Sequence, residues 1–298
     1  MIGYRELIRT SRERVVETPS ETLSTPLGTI EYADAGNGSP VLLSHGILGS
    51  HAEGEGMVAN YVGAGYRSIA PSRMGYFGST LPGSASVPLQ ADLYALLLDE
   101  LGIDRTMTFG FSAGGPSAIA FALRHPDRVE ALVLASSALP GAKAPPRAMK
   151  SLMRAYFDSN FLFWLTRRVT PRLFVRMLGV PKGYAPTAEE WLVIEEVGGS
   201  LFPLPPRVHG AMFDTFIGNP WVNRAPIDGI RVPTLIIHAG DDTLAPYANA
   251  VAAAPRIPGA RFITIERGGH LFLGHEQKAR EAITAFVEEL KELPSRVG

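Results

Sequence analysis

The sequence predicts an α/β fold built on a parallel sheet. Short apolar runs typical of buried parallel strands, such as residues 40–46 (PVLLSHG), alternate with segments of helical periodicity. Strands that alternate with helices usually pair in parallel through right-handed crossovers, so the alternation itself indicates the fold class. With 298 residues, 46% of them hydrophobic, the chain is long enough to bury a substantial core.

The predicted elements follow in order along the chain. Residues 1–25 are charged and predict a short helix followed by an extended arm, with the body of the fold starting near Thr25. Strands are expected over 28–36, 40–46, 66–72, 105–110, 129–136, 232–240 and 260–266. Helices are expected over 88–101, 113–124 and 275–291, because apolar residues recur on one helical face and Gly102 suits a helix end.

Between about 140 and 226 the predicted strands stop and a helical block takes their place. Thr187 and Glu190 have the spacing of a capping box, and residues 205–218 predict one more helix. About 90 residues is far more than a single crossover needs. We therefore expect a helical cap at 140–226 inserted into a core of 1–139 and 227–298, with ordinary crossover helices as the alternative.

Composition excludes several classes of function. The absence of cysteine excludes a disulfide scaffold, a thiol nucleophile and thiolate-bound zinc, and no histidine pair has metal-ligand spacing. A net charge of −1 with no basic stripe argues against nucleic-acid binding. No apolar run reaches the roughly 20 residues of a membrane span or forms a signal peptide. We expect a cytoplasmic protein without metal or cofactor that acts on a small molecule.

One motif points to nucleophilic chemistry. Residues 110–114 read Gly-Phe-Ser-Ala-Gly, a G-x-S-x-G pattern between a predicted strand and a predicted helix. A serine hydroxyl needs a base oriented by an acid, and in this arrangement the acid and then the histidine follow the serine. Ser112 is the predicted nucleophile and His270 the base, and Asp241 and Asp242 are both candidates for the acid. These candidates lie in loops directly after strands, where parallel sheets gather their ligands.

The sequence resembles the α/β-hydrolase fold superfamily over residues 25–292. Six segments match its recurring motifs in order: 44–50, 70–79, 110–115, 125–136, 238–246 and 268–274. The resemblance implies a mostly parallel sheet of eight strands flanked by helices, a cap after the sixth strand, and a Ser–Asp–His triad. In one loop the sequence departs from the family: Ser72 stands where an aspartate is common, and Phe77 is inserted.

The resemblance also implies individual roles. In the family the acid precedes an x-hydrophobic-x-Pro run, here residues 243–246, which selects Asp242 and leaves Asp241 as a turn residue. Backbone N–H groups of Ala113 and, by similarity, Ile47 are expected to form the oxyanion hole. Candidate substrate contacts beside the triad or in the cap are His45, Gly46, Phe111, Trp164, His209, Leu244 and Leu271.

The leading expectation is an ester hydrolase that forms an acyl-enzyme on Ser112. The many cap aromatics suggest an apolar acyl or ring substrate, although packing between cap and core is the alternative for most of them. A second hypothesis keeps the triad but cleaves a carbon–carbon bond of a ring-fission product or acts as a cofactor-free perhydrolase. Ring-fission hydrolases commonly hold a carboxylate with cap arginines, for which the candidates are Arg147, Arg154, Arg167, Arg168, Arg172, Arg176 and Arg207. A third hypothesis is a ligand receptor that retains the triad.

Overall fold

Eight strands form one sheet in the order β1-β2-β4-β3-β5-β6-β7-β8. The computed structural model describes residues 3–292. The strands are β1 (Glu21–Thr25), β2 (Gly28–Ala35), β3 (Ser39–Ser44), β4 (Tyr66–Pro71), β5 (Thr106–Phe111), β6 (Val129–Ala135), β7 (Thr234–Ala239) and β8 (Arg261–Ile265). β2 runs antiparallel to β1 and β4, and every other pairing is parallel. The predicted eight-stranded, mostly parallel sheet is confirmed.

Helices cover both faces of the sheet. The α-helices of the described residues are α1 (Tyr4–Glu17), α2 (Gly54–Tyr61), α3 (Val87–Glu100), α4 (Gly115–Arg124), α5 (Lys150–Phe157), α6 (Asn160–Val169), α7 (Pro171–Met177), α8 (Ala188–Ser200), α9 (Val208–Phe213), α10 (Asn219–Trp221), α11 (Tyr247–Ala253) and α12 (Glu276–Glu292). One apolar core lies between the sheet and α3, α4 and α11, and a second lies between the sheet and α2 and α12. Among residues 3–292, no helix combines the length and the apolar character needed to cross a membrane.

Three elements differ from the sequence prediction. The predicted extended arm is the edge strand β1, which pairs with β2 from Glu21 opposite Tyr32 to Thr25 opposite Gly28, so the body starts before Thr25. The helix α2 is not among the predicted elements, because Gly54 and Gly56 lower its helix propensity. The helix α11, which has seven residues and is rich in small side chains, is not among them either.

The helices α5 to α10 all lie between β6 and β7, and we call this segment the insertion. The capping box is present: Glu190 N–H donates to Thr187 Oγ1 (3.2 Å), and Thr187 N–H donates to a Glu190 carboxylate oxygen (2.7 Å). The helix predicted at 205–218 lies within one continuous helical stretch, but its type varies along the chain. That stretch forms a 3₁₀ turn at Pro205–Arg207, then α9, and then a π-helical turn at Asp214–Gly218.

A buried ion pair joins the insertion to the core. Arg73, in the loop after β4, donates two hydrogen bonds to the Asp214 carboxylate at 2.7 and 2.5 Å. The Tyr76 hydroxyl donates to the same carboxylate at 2.5 Å. All three side chains are almost completely buried. Charge in such a site must stay paired, since an isolated buried ion carries a large desolvation penalty.

We expect Asp214→Asn to lower the free energy of unfolding by roughly 3–5 kcal/mol, because the variant leaves the Arg73 charge buried and uncompensated. Urea denaturation of the two proteins measures the difference. As the matched control, Asp228→Asn removes a carboxylate from the exposed pair with Arg256 and should leave the midpoint unchanged. Equal effects of the two substitutions on the free energy of unfolding would contradict the assignment of Arg73 and Asp214 as a stabilising buried ion pair.

Candidate active site

Ser112 lies on a sharp turn between β5 and α4. Its φ of 51° is in the left-handed region, which a non-glycine residue rarely adopts. The flanking glycines are needed for space: a Cβ at Gly114 would lie 1.9 Å from the Ser44 carbonyl oxygen, and one at Gly110 would lie 2.8 Å from Ala118 Cβ. Close packing against β3 and α4 therefore holds the strained turn and points the serine away from the sheet.

A continuous hydrogen-bonded chain runs from Ser112 through His270 to Asp242. His270 Nε2 lies 2.8 Å from Ser112 Oγ, and His270 Nδ1 lies 2.8 Å from Asp242 Oδ2. The histidine follows two glycines with positive φ, Gly268 at 114° and Gly269 at 61°. This turn, which other residues could not readily adopt, brings the imidazole over the serine. The arrangement has the geometry needed for general-base activation of a hydroxyl.

The Asp242 carboxylate has more partners than the sequence analysis anticipated. Its Oδ1 accepts hydrogen bonds from the backbone N–H groups of Leu244 and Ala245, at 2.8 and 3.0 Å. His238, interpreted from the sequence as a structural strand residue, has Nε2 3.3 Å from Asp242 Oδ2. Burial alone would raise the pKa of Asp242, but the charge of His270 and hydrogen bonds from both histidines outweigh it and hold the pKa below its usual range. The carboxylate therefore remains ionised at neutral pH.

The neighbouring acid, Asp241, has a different set of partners. Its carboxylate accepts hydrogen bonds from the backbone N–H groups of Gly269 (2.8 Å) and Gly268 (3.3 Å). It thus holds the turn that precedes His270 rather than contacting the imidazole. Of the two candidate acids, only Asp242 lies within hydrogen-bonding distance of His270.

The loop after β3 approaches Ser112 and is held from behind by buried side chains. Ile47 in this loop and Ala113 line the same cavity as the serine. His45 Nδ1 lies 2.8 Å from the Gly46 carbonyl oxygen, and His45 Nε2 accepts from the Arg73 backbone N–H at 3.0 Å. These partners require a neutral imidazole with its proton on Nδ1. Burial, with the nearby Arg73 charge, holds the pKa of His45 well below its usual range.

The insertion also contacts this loop directly. The Arg207 guanidinium, which is completely buried, donates a short hydrogen bond to the Leu48 carbonyl oxygen. The Tyr76 hydroxyl, itself bonded to Asp214 of the insertion, lies 3.4 Å from Leu48 N. Leu48 has a φ of 59°. Arg207 and Tyr76, which both connect to the insertion, therefore hold Leu48 in its strained backbone conformation.

A cavity of about 660 Å³ lies above Ser112, between the sheet edge and the insertion. Its lining is mostly apolar and includes four of the predicted substrate contacts, Gly46, Phe111, Leu244 and Leu271. The insertion contributes further apolar side chains: Met153, Phe157, Phe163, Met177, Leu178, Val197 and Leu201. Such a lining suits an apolar group next to a reactive serine.

Three predicted substrate contacts do not line this cavity. His45 is buried behind the loop that it supports. Trp164 packs against Tyr4 of α1 and Phe161, with ring centroids 5.5 and 5.9 Å away. His209 is exposed on α9. Their positions follow from contacts between α1, the insertion and the core, which local sequence patterns do not reveal.

None of the seven candidate arginines of the insertion lines the cavity either. Arg207 is bonded to backbone carbonyls, and Arg167 pairs with Glu195. The cationic side chain in the lining is Lys143, which is exposed at the mouth. Within residues 3–292, no three His, Asp or Glu side chains cluster closely enough to hold a metal ion.

In the loop after β4, which departs from the family pattern at Ser72, the carboxylate beside the serine belongs to a residue of another strand. Ser72 Oγ donates to Glu31 of β2 at 3.2 Å and lies 3.0 Å from His51 Nδ1. Burial would raise the pKa of Glu31, but hydrogen bonds from His51 and the Gly78 N–H lower it below its ordinary value. This cluster was not predicted from the sequence, although the missing aspartate at position 72 was a signal that an acid should come from another part of the chain.

The buried neutral imidazole of His45 gives a testable pH dependence. Below pH 6.5 the unfolded chain binds a proton at His45 that the folded chain does not, so stability falls as the pH is lowered. We expect the unfolding free energy of the wild type to lose up to about 1.4 kcal/mol per pH unit more than that of His45→Gln between pH 6 and pH 4.5. Urea titrations across this range measure it, and parallel pH profiles would contradict the prediction.

Comparisons with known proteins agree with this architecture. The profile of the family described as the alpha/beta hydrolase fold matches residues 39–276. The hydrolase YcgS of Bacillus subtilis is 29% identical over 267 residues, which cover 86% of this chain and 93% of that protein. A 2-hydroxy-6-oxononadienedioate/2-hydroxy-6-oxononatrienedioate hydrolase of Paraburkholderia phymatum is 31% identical over 259 residues, 81% of this chain and 84% of that protein.

A solved structure gives the same result. An alpha/beta hydrolase fold protein from Nakamurella multipartita superposes with a TM-score of 0.69 at 27% identity, covering 90% of this chain and 99% of the other. The profile match extends over most of the chain, and the relatives span nearly its full length. The chain belongs to the α/β-hydrolase fold family of enzymes, as the six ordered sequence segments indicated.

Proposed function

We propose that this enzyme is a serine hydrolase that cleaves a small-molecule ester through an acyl-enzyme. The observation that carries the proposal is the hydrogen-bonded chain from Ser112 through His270 to Asp242 at the floor of an apolar cavity. A serine at this position, with a base 2.8 Å away, is suited to attack an acyl carbon.

The first half of the reaction forms the acyl-enzyme. Ser112 Oγ attacks the ester carbonyl carbon while His270 Nε2 takes the hydroxyl proton. The ionised Asp242 carboxylate accepts from His270 Nδ1–H, which orients the ring and stabilises the imidazolium. The backbone N–H groups of Ile47 and Ala113 stabilise the negative oxygen of the tetrahedral intermediate. The intermediate then breaks its bond to the alcohol oxygen, which leaves with the proton from His270.

The second half repeats these steps with water. His270 removes a proton from a water molecule as its oxygen attacks the acyl carbon, and the same backbone donors stabilise the second oxyanion. Breaking the bond to Ser112 Oγ releases the acid and returns the proton to the serine. Each proton removed by His270 is given back within the same half-reaction, so the cycle needs no cofactor.

The insertion serves as a cap in this proposal, with the division at 140–226 expected from the sequence. Its apolar side chains form the roof of the cavity above Ser112, which favours an apolar acyl chain or ring and limits water near the reacting atoms. Leu139, just outside the first proposed boundary, packs into the core beside α3 and α4, which supports that boundary, whereas Val222 and Ala225 pack into the same core from inside the second one.

Hydrolysis of a carbon–carbon bond is the second candidate, favoured by the 31% identity to a hydrolase of that type. The cavity lining favours the ester instead. A ring-fission product carries carboxylates, whereas the described lining contains no arginine to bind one. Among the described residues that line this cavity, Lys143 at the mouth is the cationic group available to such a substrate.

Substituting the proposed nucleophile gives the direct test. We expect Ser112→Ala to lower kcat for p-nitrophenyl esters by at least about 10⁴-fold, because the remaining groups have no nucleophile to activate. The control is Ser117→Ala, which removes another buried hydroxyl one turn further along α4 and should keep kcat within about threefold of wild type. Comparable turnover by Ser112→Ala and wild type would exclude the proposed mechanism.

A substrate panel distinguishes the two reaction types. We expect kcat/KM for p-nitrophenyl esters with acyl chains of four to eight carbons to exceed that for a vinylogous 1,5-diketone acid by at least about 100-fold, since residues 3–292 contribute no arginine to this lining for the carboxylate. Spectrophotometric rates on both substrates measure the ratio. Turnover of the diketone acid without ester hydrolysis would establish the second candidate in place of the first.

A further inference from the structure

A second cavity, of about 580 Å³, adjoins the one above Ser112. The two cavities share a wall, and the side chains and backbone of that wall line both: Gly46, Ile47, Phe111, Val197, Leu201 and Leu271. A Cβ at Gly46 would lie only 3.2 Å from Phe111 Cδ1 and 3.3 Å from Ser112 Cβ. Gly46 is therefore the part of the wall that packs directly against the serine, with no room for a side chain.

The two cavities open on different sides of the enzyme. The mouth of the first lies among the loops after β6 and β7, near Lys143 and Pro246. The rim of the second is formed by α2, α8 and α12, and includes the exposed side chains of Asn60, Glu196 and Arg280. α2 and α12 pack on the face of the sheet opposite α3 and α4. Gly46 and Phe111 beside Ser112 thus have one cavity on each side, and Ser112 itself lines the first.

The charges of the second cavity are nearly balanced. Glu53 is compensated, because Arg207 Nη2 lies 3.3 Å from one of its oxygens and Ser50 donates to the other at 2.6 Å. The other charged groups that residues 3–292 contribute to the lining are two cations and two anions: Arg14, which lies 3.7 Å from Glu53, Arg280, Glu196 and Glu276. A ligand with a net charge would meet as much repulsion as attraction here, so the balance favours a neutral one.

The polar groups of this cavity require a ligand that both donates and accepts hydrogen bonds. Glu276 Oε1 is buried, and no group within residues 3–292 donates to it. The neighbouring Tyr61 ring packs against Phe111 and Phe272, and burial together with the Glu276 charge raises the pKa of Tyr61. Its hydroxyl therefore stays protonated and available as a donor. An unpaired acceptor beside a donor suits the hydroxyl groups of a small polyol.

We propose that the second cavity binds the alcohol portion of the ester, and that this portion is neutral and carries free hydroxyl groups, as a glyceryl group does. The proposal rests on the ester hydrolase activity proposed above. The acyl group occupies the apolar cavity, the alcohol occupies the second one, and the scissile bond crosses the wall at Gly46. The alcohol released with the His270 proton then leaves by the rim of α2, α8 and α12, separately from the acid.

Filling the second cavity provides the test. A Cβ at Gly56 on α2 would meet no atom within 4 Å, so Gly56→Phe places a ring in the cavity without displacing the helix. Ala59→Phe is the matched control, since it adds the same ring to an exposed position of α2 outside the lining. The substrates are 1-monobutyrin and propyl butyrate, which differ in the two hydroxyls of the alcohol.

We expect the wild type and Ala59→Phe to prefer monobutyrin by about tenfold in kcat/KM. In Gly56→Phe and in Glu276→Leu the preference should fall to within about twofold. Equal rates on the two esters in the wild type, or a preference that survives Gly56→Phe, would overturn the proposal.

A binding experiment separates this inference from the proposed activity. Calorimetry on Ser112→Ala compares the non-hydrolysable 1-O-butylglycerol with butyl propyl ether. Binding of the glyceryl ether that is about tenfold tighter and lost in Ser112→Ala/Gly56→Phe supports the polyol site even if no ester is hydrolysed. Equal affinity for the two ethers excludes the site, even if Ser112-dependent ester hydrolysis is observed.

Discussion

The close approach of three backbone segments around Ser112 is the constraint on which the site depends. Gly114 must lack a side chain because the Ser44 carbonyl at the end of β3 occupies that space, and Ser112, two residues earlier, has a left-handed backbone conformation. The same packing brings the loop after β3 beside the serine. Ser112 and the loop after β3 are therefore positioned by one steric arrangement, and changes in the sheet at this point would move both together.

Buried polar groups extend that arrangement to the insertion. Arg73 contacts His45 through its backbone N–H and Asp214 through its guanidinium, so it joins the loop after β3 to the π-helical turn. Arg207 makes a second connection from the insertion to the Leu48 carbonyl. Desolvated charges of this kind add little net stability, but they penalise arrangements in which their partners are separated. Their contribution here is to fix one relative position of insertion and core.

The sequence predicted the parts of the molecule that depend on local signals. Strand periodicity, the glycines around Ser112 and the order of the strand-end loops were sufficient for strands β2 to β8 and for the residues that meet at the site. Spacing alone left Asp241 and Asp242 equivalent, because both follow β7 directly. Their difference lies in contacts with residues 268–270, almost thirty positions away, and only the family resemblance favoured Asp242 in advance.

Features that depend on contacts between distant parts of the chain could not be predicted from local sequence patterns. Trp164 and His209 have the residue types of substrate contacts, but α1 covers the tryptophan and the fold of α9 leaves the histidine exposed. The carboxylate of Glu31 beside Ser72 comes from a strand 41 residues earlier. The second cavity is formed by α1, α2, α8 and α12, whose association no local pattern encodes.

The buried polar contacts between the insertion and the core, among them that of Arg207 with Leu48, have a consequence for how such enzymes diversify. A helical insertion between two strands could be exchanged as a module if it touched the core only through apolar surfaces, which tolerate approximate complementarity. Here the insertion carries buried charges whose partners, Arg73 and Glu53, lie in the core. A transplanted insertion would arrive without those partners. New substrate ranges should therefore arise more readily by substitutions within this insertion than by replacement of the whole segment.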